Sequence, residues 1–145
     1  MIDRRDMLAA GLTGAALAAM PLRLRAQAVA ATAESADGII AEFTGGAALT
    51  GAGLVLDLPE TAENGNGVAL RVDAPGATEI LVLAPENPWP RVFRASFGPL
   101  SGAQSVATRI RLARSQEVIA LARLADGRVA RASAPVSVII GGCGA

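Results

Sequence analysis

From Gly53 onward the chain breaks into seven short apolar runs, each bounded by Gly, Pro, Asn or Asp. They cover residues 54–58, 68–72, 79–84, 92–97, 106–112, 117–124 and 128–140. Two of them alternate cleanly. Val68, Leu70 and Val72 stand against Ala69, Arg71 and Asp73, and Val106, Thr108, Ile110 and Leu112 against Ala107, Arg109 and Arg111. A period of two is the pattern of a strand with one buried and one wet face. The punctuation agrees: Asn64-Gly65-Asn66-Gly67 is a doubled Asn-Gly turn, Pro75-Gly76 a tight turn and Asp126-Gly127 a hairpin turn. Asn87-Pro88-Trp89-Pro90 lies outside any mid-strand position, because two prolines remove ladder donors. The run 117–124, Glu-Val-Ile-Ala-Leu-Ala-Arg-Leu, also suits a helix by propensity. Its flanks, a strand and turn before it and Asp126-Gly127 after it, favour a strand. The expected fold is all-β, an immunoglobulin-like sandwich of about seven strands. The antibody hallmarks are missing, for the chain has one Cys and no Tyr.

The region before the first run reads differently. Arg4-Arg5 is followed by an apolar stretch over 7–20, a break at Pro21 and a small-residue site at Ala26-Gln27-Ala28. Charge, apolar core and cleavage site in that order predict an export signal over 1–28. The apolar stretch is well short of the about 20 residues needed to span a bilayer. Tandem arginines with a weakly hydrophobic Ala/Gly core resemble a twin-arginine signal, and Arg23 and Arg25 suit that class. The expected destination is the periplasm, with no membrane attachment after cleavage. Residues 29–52 are Ala/Gly/Thr-rich and predict a mobile segment with one short helix over 35–43, N-capped by Ser35.

Composition removes most familiar chemistry. The 145 residues contain 13 basic and 13 acidic groups, every basic one an Arg. A balanced charge offers no footprint for nucleic acid. No His excludes His-dependent hydrolase triads and His-based metal sites. A single Cys excludes an internal disulfide, an iron–sulfur cluster and a Cys pair of the thioredoxin kind. Neither a metal nor a cofactor is expected, and the chain is expected not to be an enzyme.

The last residues then carry the functional argument. The strand run over 128–140 is expected to lead into Gly141-Gly142-Cys143-Gly144-Ala145, residues 141–145 forming a flexible arm. Glycine has the widest backbone freedom, so Gly141, Gly142 and Gly144 let Cys143 sample many directions from a fixed strand end. No bulky neighbour shields the sulfur, and the tip is thin enough to enter a narrow pocket of another protein. An odd Cys in an exported chain points to an intermolecular bond or a reactive thiol.

With the arm, several stretches resemble the SoxY family of sulfur-compound carriers. The terminal Gly141-Gly142-Cys143-Gly144 on a Val-Ser-Val strand looks like that family's carrier arm. The stretch from Leu56-Asp57-Leu58 to Ala62-Glu63-Asn64-Gly65 resembles its early strand and turn. Asn87-Pro88, Phe97, Thr108-Arg109-Ile110-Arg111-Leu112-Ala113, Ser115-Gln116 and Asp126-Gly127 follow in the family's order. The family's arm usually ends in a further Gly where this chain has Ala145. The resemblance covers residue 54 to the end, making 53–140 a SoxY-like sandwich. It implies a carrier for thiosulfate oxidation, with Cys143 as the covalent attachment point. It also implies partners: a SoxZ-like β-sandwich subunit in a heterodimer, and haem-containing and manganese-dependent Sox enzymes that supply the catalysis. Two other readings stand beside it. One is an immunoglobulin-like envelope subunit using Cys143 for an intermolecular disulfide. The other is a thiol enzyme, which the lack of a base near Cys143 disfavours.

Overall fold

The structure, a computed structural model, describes residues 34–139. One helix, α1 (Ala36–Thr44), precedes nine strands: β1 (Leu49–Thr50), β2 (Val55–Asp57), β3 (Thr61–Ala62), β4 (Val68–Asp73), β5 (Ala77–Leu83), β6 (Arg91–Ser96), β7 (Ser105–Ile110), β8 (Gln116–Leu124) and β9 (Val129–Val138). The larger sheet runs β1-β9-β8-β5-β6, with β3 also joined to β9, and the smaller runs β2-β4-β7. Each of the seven apolar runs contains one of the strands β2 and β4 to β9, shifted at most by a residue or two. The two additional strands, β1 and β3, have two residues each and pair with β9 in parallel. Segments so short carry no readable period, so only their pairing defines them.

Two apolar layers explain the strand patterns. Val68, Leu70 and Val72 of β4 face Ile80 and Val82 of β5 and Val118 of β8 in the core between the sheets. β4 alternates as expected, because its other face is wet. β8 does not alternate, being buried from Val118 to Ala122. Its Val118, Ala120 and Ala122 enter the inter-sheet core, while Ile119 and Leu121 enter a second cluster on the opposite face. A strand buried on both sides loses its period, so only the flanking turns mark this run as a strand against its helix propensity. β7 departs from expectation at Thr108, which is exposed. β7 is an edge strand bonded only to β4, and an edge is incompletely covered.

The second cluster is made by α1. Ser35 caps the helix, its Oγ accepting from the Gly38 N–H at 3.1 Å, and Gly45 in the left-handed region (φ 56°) ends it. Ile39 and Phe43, four residues apart, are buried against Leu81, Leu83, Ile119, Leu121 and Val129. Burying two such side chains contributes about 1.5–3 kcal/mol each. Charged groups frame this contact. The Arg123 guanidinium lies 4.9 Å from the centre of the Phe43 ring and donates to the Phe43 carbonyl. Glu79 accepts from Arg94 and lies 3.7 Å from Arg123. The hydrogen bond from Arg94 is the main reason the Glu79 carboxyl is held below the usual carboxylate range. Among the described residues no helix is long and apolar enough to cross a membrane.

Candidate functional site

Arg4, Arg5, Gly141, Gly142, Cys143 and Gly144 lie outside the described residues. What is described is the place from which the last segment departs, and that place is built with care. β9 outlasts its neighbour, since its ladder with β8 ends at the pair Gln116–Val136. Beyond it the backbone is held from both edges in turn. On one side β3 takes over: the Ser137 N–H donates to the Glu60 carbonyl at 2.8 Å, and the Ile139 N–H to the Ala62 carbonyl at 2.9 Å. On the other side a side chain stands in for a strand. The Ser115 hydroxyl accepts from the Val138 N–H at 2.8 Å and donates to the Val138 carbonyl at 3.3 Å. A hydroxyl can do both at once because it carries a donor and lone pairs on one atom. The chain is therefore fastened through Ile139.

The loop between β7 and β8, residues 111–115, is the hub of this region. From one direction the Asn64-Gly65 turn docks on it. The Leu112 N–H donates to the Gly65 carbonyl at 2.8 Å, and the Asn64 Oδ1 accepts from the Asn66 N–H at 2.9 Å. Gly65 has no positive φ, so a left-handed turn is not what selects it. A Cβ at this position would collide with the Leu112 carbonyl oxygen and sit 3.0 Å from Val138 Cγ1. Glycine is required there by closeness to the Leu112 carbonyl and Val138, not by backbone handedness.

From the other direction the loop between β5 and β6 docks on the same hub. Asn87 Nδ2 donates to the Arg111 carbonyl at 2.8 Å, while its Oδ1 accepts from the Ala113 N–H at 2.8 Å and from Gln116 Nε2 at 3.0 Å. Gln116 Oε1 accepts in turn from the Glu86 N–H at 2.9 Å. Gln116 is the buried polar side chain of the described core, and its amide is satisfied on both ends. Removing one partner from such a network leaves a desolvated group unpaired, which costs more than the bond itself contributes. Together Asn87 and Gln116 pin the Pro88-Trp89-Pro90 corner to the hub loop and the start of β8.

The surface around this hub mixes apolar side chains with exposed charged ones. Two shallow grooves adjoin it, one of about 430 Å³ beside Asn64, Gly65, Val138 and Ile139, the other of about 360 Å³ beside Pro88 and Trp89. They share Arg111 and Ala113. Arg109, Arg111 and Arg114 are exposed, in keeping with a solvated face, but Arg111 and Arg114 belong to the hub loop instead of to a strand. The one ion pair of the hub loop, Arg114 with Glu86 at 3.7 Å, is exposed on both sides and worth little. Among the described residues no cluster of three or more carboxylates is placed to hold a metal ion.

Gly65 and Asn87 enter the sequence argument as turn and loop residues, and Ser115 and Gln116 only as parts of the family pattern. Their convergence on one end of the sandwich was not readable there. The available signal was their chemistry: small or amide side chains interrupting apolar runs.

Comparisons with known proteins agree with this geometry. The family model described as sulfur oxidation protein SoxY matches residues 40–143. The sulfur carrier protein SoxY from Chlorobium limicola f thiosulfatophilum is 30% identical, with a TM-score of 0.62, covering 72% of this chain and 96% of that chain. A superoxide reductase (neelaredoxin) structure from Ignicoccus hospitalis is 16% identical with a TM-score of 0.53, covering 71% of this chain and 87% of its own. A second from the same organism, also 16% identical, has a TM-score of 0.52 and covers 59% of this chain and 79% of its own. These two share the sandwich and nothing more. No curated protein matches the chain.

Proposed function

The chain belongs to the SoxY family, and on that premise we propose that it is a periplasmic carrier holding thiosulfate-derived sulfur on Cys143. The observation that carries the reading is the extent of the family match, which continues through the end of β9 to residue 143. A fastened strand end followed by Gly141-Gly142-Cys143-Gly144 suits a thiol that visits several active sites without leaving its body. A small anion tied covalently to such a thiol cannot diffuse away between steps.

The chemistry belongs to the partners. A haem-containing enzyme would join the Cys143 thiol to the outer sulfur of thiosulfate. An S–S bond forms, one proton is released and two electrons pass to the haem partner, leaving a cysteine S-thiosulfonate. A manganese-dependent hydrolase would then add water across the terminal S–S bond. Sulfate and two protons leave, and a persulfide remains on Cys143. Thiolate, not thiol, is the nucleophile in the first step. The activating base and any metal come from the partner's pocket. Assembly with a SoxZ-like sandwich subunit and export through the twin-arginine pair Arg4-Arg5 complete the proposal.

The test is intact-mass spectrometry on the protein purified from cells oxidising thiosulfate. Masses corresponding to added sulfur or thiosulfate are expected on Cys143 and should vanish in Cys143→Ser. Finding only free thiol or a disulfide-linked dimer under those conditions would overturn the carrier and favour a structural disulfide.

A further inference from the structure

Carriage of sulfur on Cys143, on which this inference rests, limits where the partner enzymes can sit. Among the described residues Ile139 is the last whose backbone is fastened to the sandwich, and Cys143 follows four residues later. Even fully extended, that span carries the Cys143 Cα no more than about 14 Å from the Ile139 Cα. An enzyme that handles the sulfur inside a pocket uses part of this length for the pocket's depth. Its rim must then press on the residues around Ile139.

Exposed apolar side chains occur at both ends of the sandwich: Leu49, Val55 and Leu100 lie at the far end, and Trp89 and Ile139 at this one. Trp89 is 69% exposed and Ile139 is 54% exposed, and the two grooves beside them join through Arg111 and Ala113. Trp89 follows Pro88 and precedes Pro90, and Asn87 ties the corner to the hub loop by two hydrogen bonds and to Gln116 of β8 by a third. An exposed indole on a corner already held in place loses little freedom on binding, and Trp and Arg are the side chains that dominate interface energies. Arg111 has no ion-pair partner among the described residues, so its charge is available to a carboxylate on another protein. Leu49, also exposed, pairs with Val129 at the opposite end of β9, about 30 Å away, beyond the reach of the arm.

We propose that the surface from Trp89 across Arg111 to Ile139 is the docking surface for every enzyme that loads or unloads Cys143. The occupant is a partner enzyme whose pocket entrance offers an apolar seat for the indole and a carboxylate for Arg111. A tether this short keeps an enzyme that handles Cys143 close to Ile139, so these enzymes bind here one at a time.

The experiment uses the full chain purified with its partner subunit. Thiosulfate-dependent haem reduction by the loading enzyme and sulfate release by the hydrolase are each measured against carrier concentration. For both enzymes, Trp89→Ala and Arg111→Glu should raise the half-saturating carrier concentration by about tenfold, with the maximal rate retained. Leu49→Ala should leave both unchanged, and alkylation of Cys143 by iodoacetamide should proceed at the same rate in all variants. Carrier bearing Cys143→Ser should inhibit both enzymes competitively, with an inhibition constant raised about tenfold when Trp89→Ala is added. Half-saturation unchanged in both assays, or altered in only one of them, overturns the shared surface. Loss of the partner subunit from purified Trp89→Ala also overturns it, by showing that the patch is a subunit interface. Full turnover by Cys143→Ser would instead sink the carrier reading itself.

Discussion

The helix-covered face of the larger sheet and the end of the sandwich at Ile139 are held together by different forces. On the face, Ile39 and Phe43 are buried among Leu81, Leu83, Ile119 and Leu121, with Glu79 and its arginines at the edge. At the end, Ser115, Asn87 and Gln116 act through neutral hydrogen bonds, and Trp89 and Ile139 remain in solvent. Apolar burial grows with area and has no direction, so it stabilises without dictating fine placement. Hydrogen bonds contribute less each but act only along set directions. The face supplies stability, and the end supplies position.

The largest effect expected is at Phe43. Phe43→Ala should lower stability to denaturant by about 3–4 kcal/mol while sulfur transfer per folded molecule stays the same. A loss below about 1 kcal/mol, or slowed transfer by folded protein, would break the division between the two regions. Gly65→Ala comes next, at about 2 kcal/mol, because the new methyl displaces the Leu112 carbonyl or Val138. Here transfer should slow beyond what unfolding explains. Equal stability and equal transfer would mean that the turn is not tight against the root.

Ser115→Ala should cost about 1 kcal/mol and speed amide hydrogen exchange at Val138, whereas Ser115→Thr should restore protection. Exchange at Val138 indifferent to the hydroxyl would remove Ser115 from the clasp. The smallest effect is electrostatic and belongs to the face alone. Glu79 has its folded-state carboxyl held low, chiefly by the hydrogen bond from Arg94. Its stabilisation is therefore present above the carboxylate's unfolded value and fades as pH falls through the lower folded one. In Glu79→Gln, stability followed by denaturant midpoints should fall less steeply over that acid window. A slope identical to wild type would discount the pairing. Val138 exchange protection, corrected for its intrinsic pH dependence, should not follow the Glu79 titration, since the clasp contains no titrating group.

The legible parts of the chain were those where one local rule acts alone. Val68, Leu70 and Val72 alternate because β4 has one wet face, and Ser35 caps α1 because its hydroxyl reaches the Gly38 N–H three residues away. Legibility failed wherever a distant segment intervened. The run 117–124 is a strand, as its flanks indicate, but nothing within the run records that α1 covers the second face of β8. Gly65 read as a turn glycine, yet its reason lies at Leu112 and Val138.

The sequence by itself determined the strand-rich class, the turns and the single thiol after two glycines. Each is set by side chains a few residues apart, or by composition alone. Only the tertiary structure decided that Gly65, Asn87, Ser115 and Gln116, far apart along the chain, meet where β9 ends. That meeting depends on the order of strands in two sheets. Strand order follows from the packing of whole faces, a sum over many contacts that no local pattern contains.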